Sequence, residues 1–315
     1  MFDPTKAKYY PEELPEAIAI NAAASTAGGT EIASYSSFSP YVMQLKKLWT
    51  WQTVGAASVT LRVDIDSGHA VIESPLPSRS ALFHADLDLI AQDNMDLWSV
   101  GVTGAGLNSY YTYTMRVTKP TIFEKIKHSI TLTDDEKALA DEFNIKSKHL
   151  AGILASRGVN TEQFKKIYEV ARRVTVAAGG NTRVGRIINV KKGEKAVILG
   201  IAVDSTAAIA LAAGANDTFF TLNRDSSDTS YIRLDCASMP TLNYETPCYI
   251  PAIDKHEILI ESVAGGTIPV RYRYGVANLT LMEKIRWGQE GTMTPDEKKT
   301  ADEFDLYDSV KAGVL

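Results

Sequence analysis

The chain has 315 residues, 45% of them hydrophobic and 23% charged, which is enough for two domains with their own cores and far from the composition of a disordered chain. A formal charge of −5 argues against nucleic acid as a partner, since that binding rests on Lys and Arg neutralising phosphates. Cys236 and Cys248, the two cysteines, make neither a disulfide framework nor a zinc spacing, so they read as small half-buried thiols and no metal or cofactor is expected.

The opening residues, Met1-Phe2-Asp3-Pro4-Thr5-Lys6, lack the basic and apolar stretches of an export signal, and no apolar run approaches the roughly 18 residues of a membrane span. The sequence therefore predicts no cleaved signal and no membrane span. Short strands are predicted at 42–51, 59–65, 69–73, 82–89, 97–102 and 110–117. Leu61, Val63 and Ile65 alternate with Arg62 and Asp64, the pattern of a half-buried strand.

A helical tail follows. Thr133, with Glu136 three residues on, is a capping box, and the segment from Thr131 to Leu154 closes on Ala151-Gly152-Ile153-Leu154. It recurs 161 positions later, from Thr292 to Leu315, with 12 of 24 positions identical. There Thr294 and Glu297 form the box, and Pro295 takes the first helical position, where a missing N–H costs nothing. Upstream, Phe123-Glu124-Lys125-Ile126 matches Met282-Glu283-Lys284-Ile285, and Asp93 to Gly104 matches Asp254 to Gly265. The match fades further back, where Thr26-Ala27-Gly28-Gly29 loosely echoes Val176-Ala177-Ala178-Gly179-Gly180.

This self-similarity predicts a mainly β chain: a tandem duplication of a β-sandwich or jelly-roll-like module, each copy followed by a short helical tail. The modules are 1–155 and 156–315, with the boundary near Ser156. The second is expected to begin with a linker helix over 161–172, carrying Phe164, Ile167, Tyr168 and Ala171 on one face. Strands then follow at 183–190, 196–204, 218–223, 230–235, 248–252, 257–263 and 270–276.

Sites of chemistry are sparse. Gly101, Gly104 and Gly106 have the wrong spacing for a phosphate loop and read as a turn. Asp64 and Asp66 lack the remaining ligands of a calcium loop. Asp225 and Asp228 can hold an ion or cap a turn. The five histidines, His69, His84, His128, His149 and His256, occupy no shared position in the two copies, so no ancestral catalytic site is expected and the chain is not read as an enzyme. Trp49 with Trp51, and Tyr272 with Tyr274, each share a strand face and are candidates for a ligand platform, with packing as the plainer role.

A duplicated sandwich without a retained active site suits assembly. The expectation is a non-enzymatic structural protein that associates with itself and with other virion proteins, as a capsid, decoration or tail component made in the cytoplasm. The contact between modules would be reused between chains as a heterologous interface. The expected interface positions are Phe143, Ile145, Leu150, Ile153 and Leu154, with Phe304, Leu306, Tyr307, Val310, Val314 and Leu315. The alternative is a module that binds glycans or a host surface through the aromatic platforms.

Overall fold

Period-two burial marks several described strands of the computed structural model, as in Lys255–Ser262, where His256, Ile258, Ile260 and Ser262 point inward and the residues between them face outward. Such alternation commits one face of each strand to a core. The structure describes residues 14–21, 29–36, 41–52, 59–66, 69–76, 81–84, 89–101, 108–127, 129–145, 147–159, 162–204, 218–225, 231–236, 239 and 246–315.

The first half contributes β1 (Leu14–Asn21), β2 (Thr30–Ser36), β3 (Val42–Gln52), β4 (Val59–Ile65), β5 (His69–Leu76), β6 (Ala81–His84), β7 (Leu89–Ala91), β8 (Asn94–Gly101) and β9 (Asn108–Thr118), then helices α1 (Ile122–Lys127), α2 (Asp134–Glu142) and α3 (Ser147–Ser156). The second contributes β10 (Phe164–Val176), β11 (Gly180–Arg183), β12 (Ile188–Asn189), β13 (Glu194–Val203), β14 (Thr218–Arg224), β15 (Ile232–Asp235), β16 (Thr246–Ala252), β17 (Lys255–Ser262) and β18 (Gly266–Asn278), then α4 (Leu281–Arg286), α5 (Pro295–Glu303) and α6 (Leu306–Lys311).

The described strands form four antiparallel sheets. In the first half the orders are β1-β9-β3-β6 and β2-β8-β4-β5, and in the second β10-β18-β13-β16 and β11-β17-β14-β15. With the short β7 set aside, and β11 and β12 counted together because both pair with β17, the two halves share one order. Strands one, eight, three and six make one sheet, and two, seven, four and five the other.

Register agrees as well. A bulge interrupts β3 between Leu45 and Lys47 against β9, and another interrupts β13 between Ile198 and Gly200 against β18. Each half has a core of largely aliphatic side chains, among them Leu45, Leu61, Val63 and Leu97 in one half and Ile198, Ile201, Leu222 and Ile260 in the other. The halves touch where β1 lies against β15 and β16, and β9 against β16, with Leu14 packed on the second core.

The linker helix expected over 161–172 is not formed. Residues 164–176 are instead β10, a 13-residue strand paired along β18. The helical spacing of Phe164, Ile167, Tyr168 and Ala171 is real, but Val170, Val174 and Val176 alternate inward from Tyr168 onward, and the edge of β18 offers a full ladder of hydrogen bonds. The strand expected at 183–190 is broken by Gly185, whose φ of 126° suits glycine. That expected at 82–89 belongs to two strands, β6 and β7, which both pair with β3. Strands β1 and β2 were not expected at all. Gly101 ends β8, while Gly104, Gly106 and Asp228 lie outside the described residues.

Candidate assembly surface

The helical tails form a hub between the halves. Thr133 and Glu136 make the reciprocal capping box on α2, Thr294 and Glu297 on α5, and Thr280 and Glu283 on α4. Each box glutamate of α2 and α5 also holds a lysine of the preceding helix, Lys125 to Glu136 at 2.7 Å and Lys284 to Glu297 at 2.8 Å. Burial would raise the pKa of both carboxyls, but the lysine and threonine donors outweigh it and hold them below the ordinary range.

Gly158 and Gly313, which end the two tails, are in left-handed conformation, with φ of 69° and 72°. In each the following valine donates to the carbonyl five residues back, Val159 to Leu154 and Val314 to Ser309, which is a Schellman ending. Identity of sequence aligns Gly152 with Gly313, yet Gly152 lies inside α3, and Gly158 does the work of Gly313. The first tail is thus longer than the second by six residues between those points.

The two tails then cross over, Leu154 into a cluster with second-half residues and Val314 into one with first-half residues. Val314 is buried in a cluster with Ile122 and Ala140 of the first half, and the backbone N–H groups of Ile122 and Phe123 donate to the carbonyls of Gly313 and Val314 at 3.3 and 3.0 Å. Val159 is buried in a cluster with Leu281, Met282, Ile285 and Ala301 of the second half. Arg157 makes a two-pronged pair with Glu303, 3.0 Å on each prong, and covers the Phe304 ring at 5.3 Å.

These contacts account for the expected interface residues. Leu154, Leu306, Val314 and Leu315 are buried within the chain's own hub. Phe143, Ile145, Leu150, Ile153, Phe304, Tyr307 and Val310 are half-buried and keep part of their surface open. The tail side chains expected to meet another chain are met first by the other half of the same one.

A charged cluster that the sequence analysis did not anticipate sits beside the hub. Lys195, 1% exposed, places Nζ 2.6 Å from Glu283, 3.1 Å from Glu162 and 2.8 Å from the Tyr249 hydroxyl. Tyr249 donates in turn to Glu162 at 2.8 Å. Glu283 therefore caps α4 and neutralises a buried lysine from a strand. Nearby, Arg286 has its pKa lowered, chiefly by burial. The signal that could have revealed the cluster is Lys195 beside Ala196, Val197 and Ile198, a charge in a strand buried on both faces.

The aromatic pairs divide. Tyr272 is 3% exposed and belongs to the second core. Tyr274 packs on it at 6.2 Å and stacks on Tyr168 at 4.8 Å, and burial raises the pKa of both hydroxyls. Tyr272 is core packing, and Tyr274 is partly buried against that core. Trp49 and Trp51 lie on β3, opposite Phe83 and Ala81 of β6, and their side chains lie outside the described residues.

The two aspartate loops share one function. Asp66 and Asp225 have φ of 52° and 54°. The carboxylate of Asp66 accepts from the N–H groups of Gln92, Asp93 and Asn94, and that of Asp225 from Ile253, Asp254 and Lys255. In each loop the three backbone donors converge on Oδ1 of the aspartate, and Asp64 is paired with Arg62 at 2.7 Å. Cys236 and Cys248 are buried free thiols, and burial pushes Cys236 upward in pKa.

No family model and no curated protein matches the chain. Among solved structures it is similar to one of Sulfolobus turreted icosahedral virus, at 11% identity and a TM-score of 0.26 over 85% of this chain and 60% of that one. It is similar to the major capsid protein P2 of bacteriophage PM2 at 9% identity and TM-score 0.21, over 84% and 98% of the two chains. It is also similar to the oxalate decarboxylase of Lactobacillus farciminis, at 8% identity and TM-score 0.16 over 98% and 95%. The chain spans three fifths of the first of these. Likeness at this level says nothing of function. Among the described residues no helix is long and apolar enough to cross a membrane.

Proposed function

We propose that the chain is a duplicated jelly-roll sandwich, with modules 1–155 and 156–315, that serves as a non-enzymatic, self-assembling structural protein of a virion. The shared strand order supports the first part, since eight strands split between two sheets in this way describe a jelly roll. The filled interiors support the second. With aliphatic side chains occupying both sandwiches, the outer faces and the tails are left to carry function, and fold alone does not choose among functions.

The observation that carries the reading is the contact between the halves. It is heterologous: the first strand of one half meets the fifth and sixth strands of the other, and each tail cluster takes a side chain from the opposite half. A heterologous contact that one chain makes internally is a contact that further chains can repeat, closing as a ring or propagating as a lattice. The half-exposed tail residues Phe143, Ile153, Phe304 and Tyr307 supply apolar area for it. Light scattering on the purified full-length protein, followed by electron microscopy of the same sample, tests the reading. Rings, shells or filaments are expected, and a monomer at every concentration and salt would overturn it.

A further inference from the structure

The outer face of β10 and β18 differs from its counterpart in the first half. On β10 and β18, Glu169 faces Arg273, Ala171 faces Arg271 and Arg173 faces Pro269. At the corresponding places of β1 and β9, Pro15 faces Thr114, Ala17 faces Thr112 and Ala19 faces Tyr110. The first-half face carries no charge at these positions, and Pro15 and Thr114 on it are buried. The second-half face carries three arginines against one glutamate. Arg173 and Arg273 are exposed, and Ile167 on the same strand is 52% exposed.

This face has the form of a receptor for negative charge. Arg173 and Arg271 stand at opposite corners of a cross-strand square whose other corners are Ala171 and Pro269, small side chains that leave a shallow groove of about 470 Å³ between them. Arg173 has no carboxylate partner among the described residues. Arg271 is 3.6 Å from Glu169, but its Nε is buried without a hydrogen bond there. Asp204 closes one end of the groove. From the position of Pro269 to that of Arg273 is four residues of strand, roughly 13 Å.

The complementary surface is on the same chain. Helix α2 has five acidic residues and one basic, whereas α5 has four acidic and two basic. On α2, Asp134 and Asp141 share one face at a spacing of seven residues, as do Asp135 and Glu142, and Ala138 lies between the two rows. Asp134, Asp135, Ala138, Asp141 and Glu142 are exposed, whereas Glu136 is half-buried in the capping box. Lys137 pairs with Asp134 at 2.8 Å, while Asp135, Asp141 and Glu142 have no basic partner among the described residues. The stripe is about 10.5 Å long and faces away from the hub, where Ala140 is buried.

We propose that the arginine face of β10 and β18 docks the acidic stripe of α2 from a second copy of this chain. The proposal rests on the self-assembly reading and names its contact. Because the two surfaces differ and lie on different halves, the contact is head-to-tail and continues from chain to chain. It is also salt-dependent, since the pairing is between exposed charges.

Charge reversal with light scattering tests it. Arg173→Glu with Arg273→Glu removes one surface, and Asp135→Lys with Glu142→Lys removes the other. Each variant alone is expected to stay monomeric at concentrations tenfold above those at which the natural chain assembles. Their equimolar mixture should assemble with the two variants alternating, because the acidic stripe of one meets the arginine face of the other and the reversed face meets the reversed stripe, and the four changes on a single chain should restore assembly for the same reason. Circular dichroism checks folding, and Arg173→Gln with Arg273→Gln replaces the first variant if it unfolds. Assembly of either variant at the natural concentration would overturn the proposed contact while leaving the self-assembly reading in place. A natural chain that never assembles would overturn both.

Discussion

Val159 and Val314 hold the same place in two helix endings: Val314 is buried with Ile122 and Ala140 of the first half, and Leu154, with Val159 just beyond it, is buried with Leu281, Met282 and Ile285 of the second. The halves are therefore clasped reciprocally rather than laid side by side. Val314→Ala and Val159→Ala should each cost about 2 kcal/mol, the usual loss for removing buried methyl groups. Urea unfolding checks this, and the reciprocal clasp predicts that one change destabilises both halves in a single transition. Two separated transitions, with only one of them moved, would contradict it.

Lys195 is expected to be intolerant of truncation. Lys195→Ala leaves Glu283 and Glu162 facing each other without a cation, a situation that costs about 3 to 5 kcal/mol. Pairing it with Glu283→Gln should recover part of the loss. A double-mutant cycle on thermal unfolding measures the coupling, and additive losses would show that the three groups do not act together.

His256 gives the fold an acid limit. It is 0% exposed, with Nε2 3.1 Å from the Ala196 carbonyl, and burial lowers its pKa to about 4. A base whose pKa is lower in the folded state is held neutral there. Its contribution is complete above the unfolded value near 6.5 and is lost as pH falls from there towards 4, by up to about 3 kcal/mol. Stability measured between pH 7 and pH 4 should fall less steeply in His256→Gln. Parallel profiles would remove the histidine from the account.

The aspartate loops should ignore calcium. Asp225→Ala and Asp66→Ala each leave three backbone N–H groups without their acceptor, at a cost of about 2 kcal/mol. Melting temperature in millimolar calcium should match that in chelator for the natural chain. A clear upward shift with calcium would show the carboxylates to be ligands after all.

The repeated tails were readable because their information is local: a threonine, a glutamate three residues on, and the same spacing again 161 positions later. Most strands of the second half were readable for the same reason, since apolar alternation needs no distant partner. Strand β10 was not, because Phe164, Ile167, Tyr168 and Ala171 mimic a helix face and the deciding influence is the free edge of β18. The hub was half-legible. Its apolar residues were found, but their partners lie across the chain, and a buried lysine among valines and isoleucines identifies no carboxylate until the fold brings one to it. Gly152 and Gly313 show the limit of alignment, for the matched residue is not the one that ends the first tail.

Gly275 on β18 has a consequence for how this protein can vary. A Cβ at that position would fall within 3.0 Å of three ring carbons of Phe164, so the ring occupies the space of the missing side chain. The two positions behave as one unit of inheritance. Substitution at 275 is tolerated when 164 shrinks in the same step, and a collection of sequences diverging from this one should show them changing together or not at all.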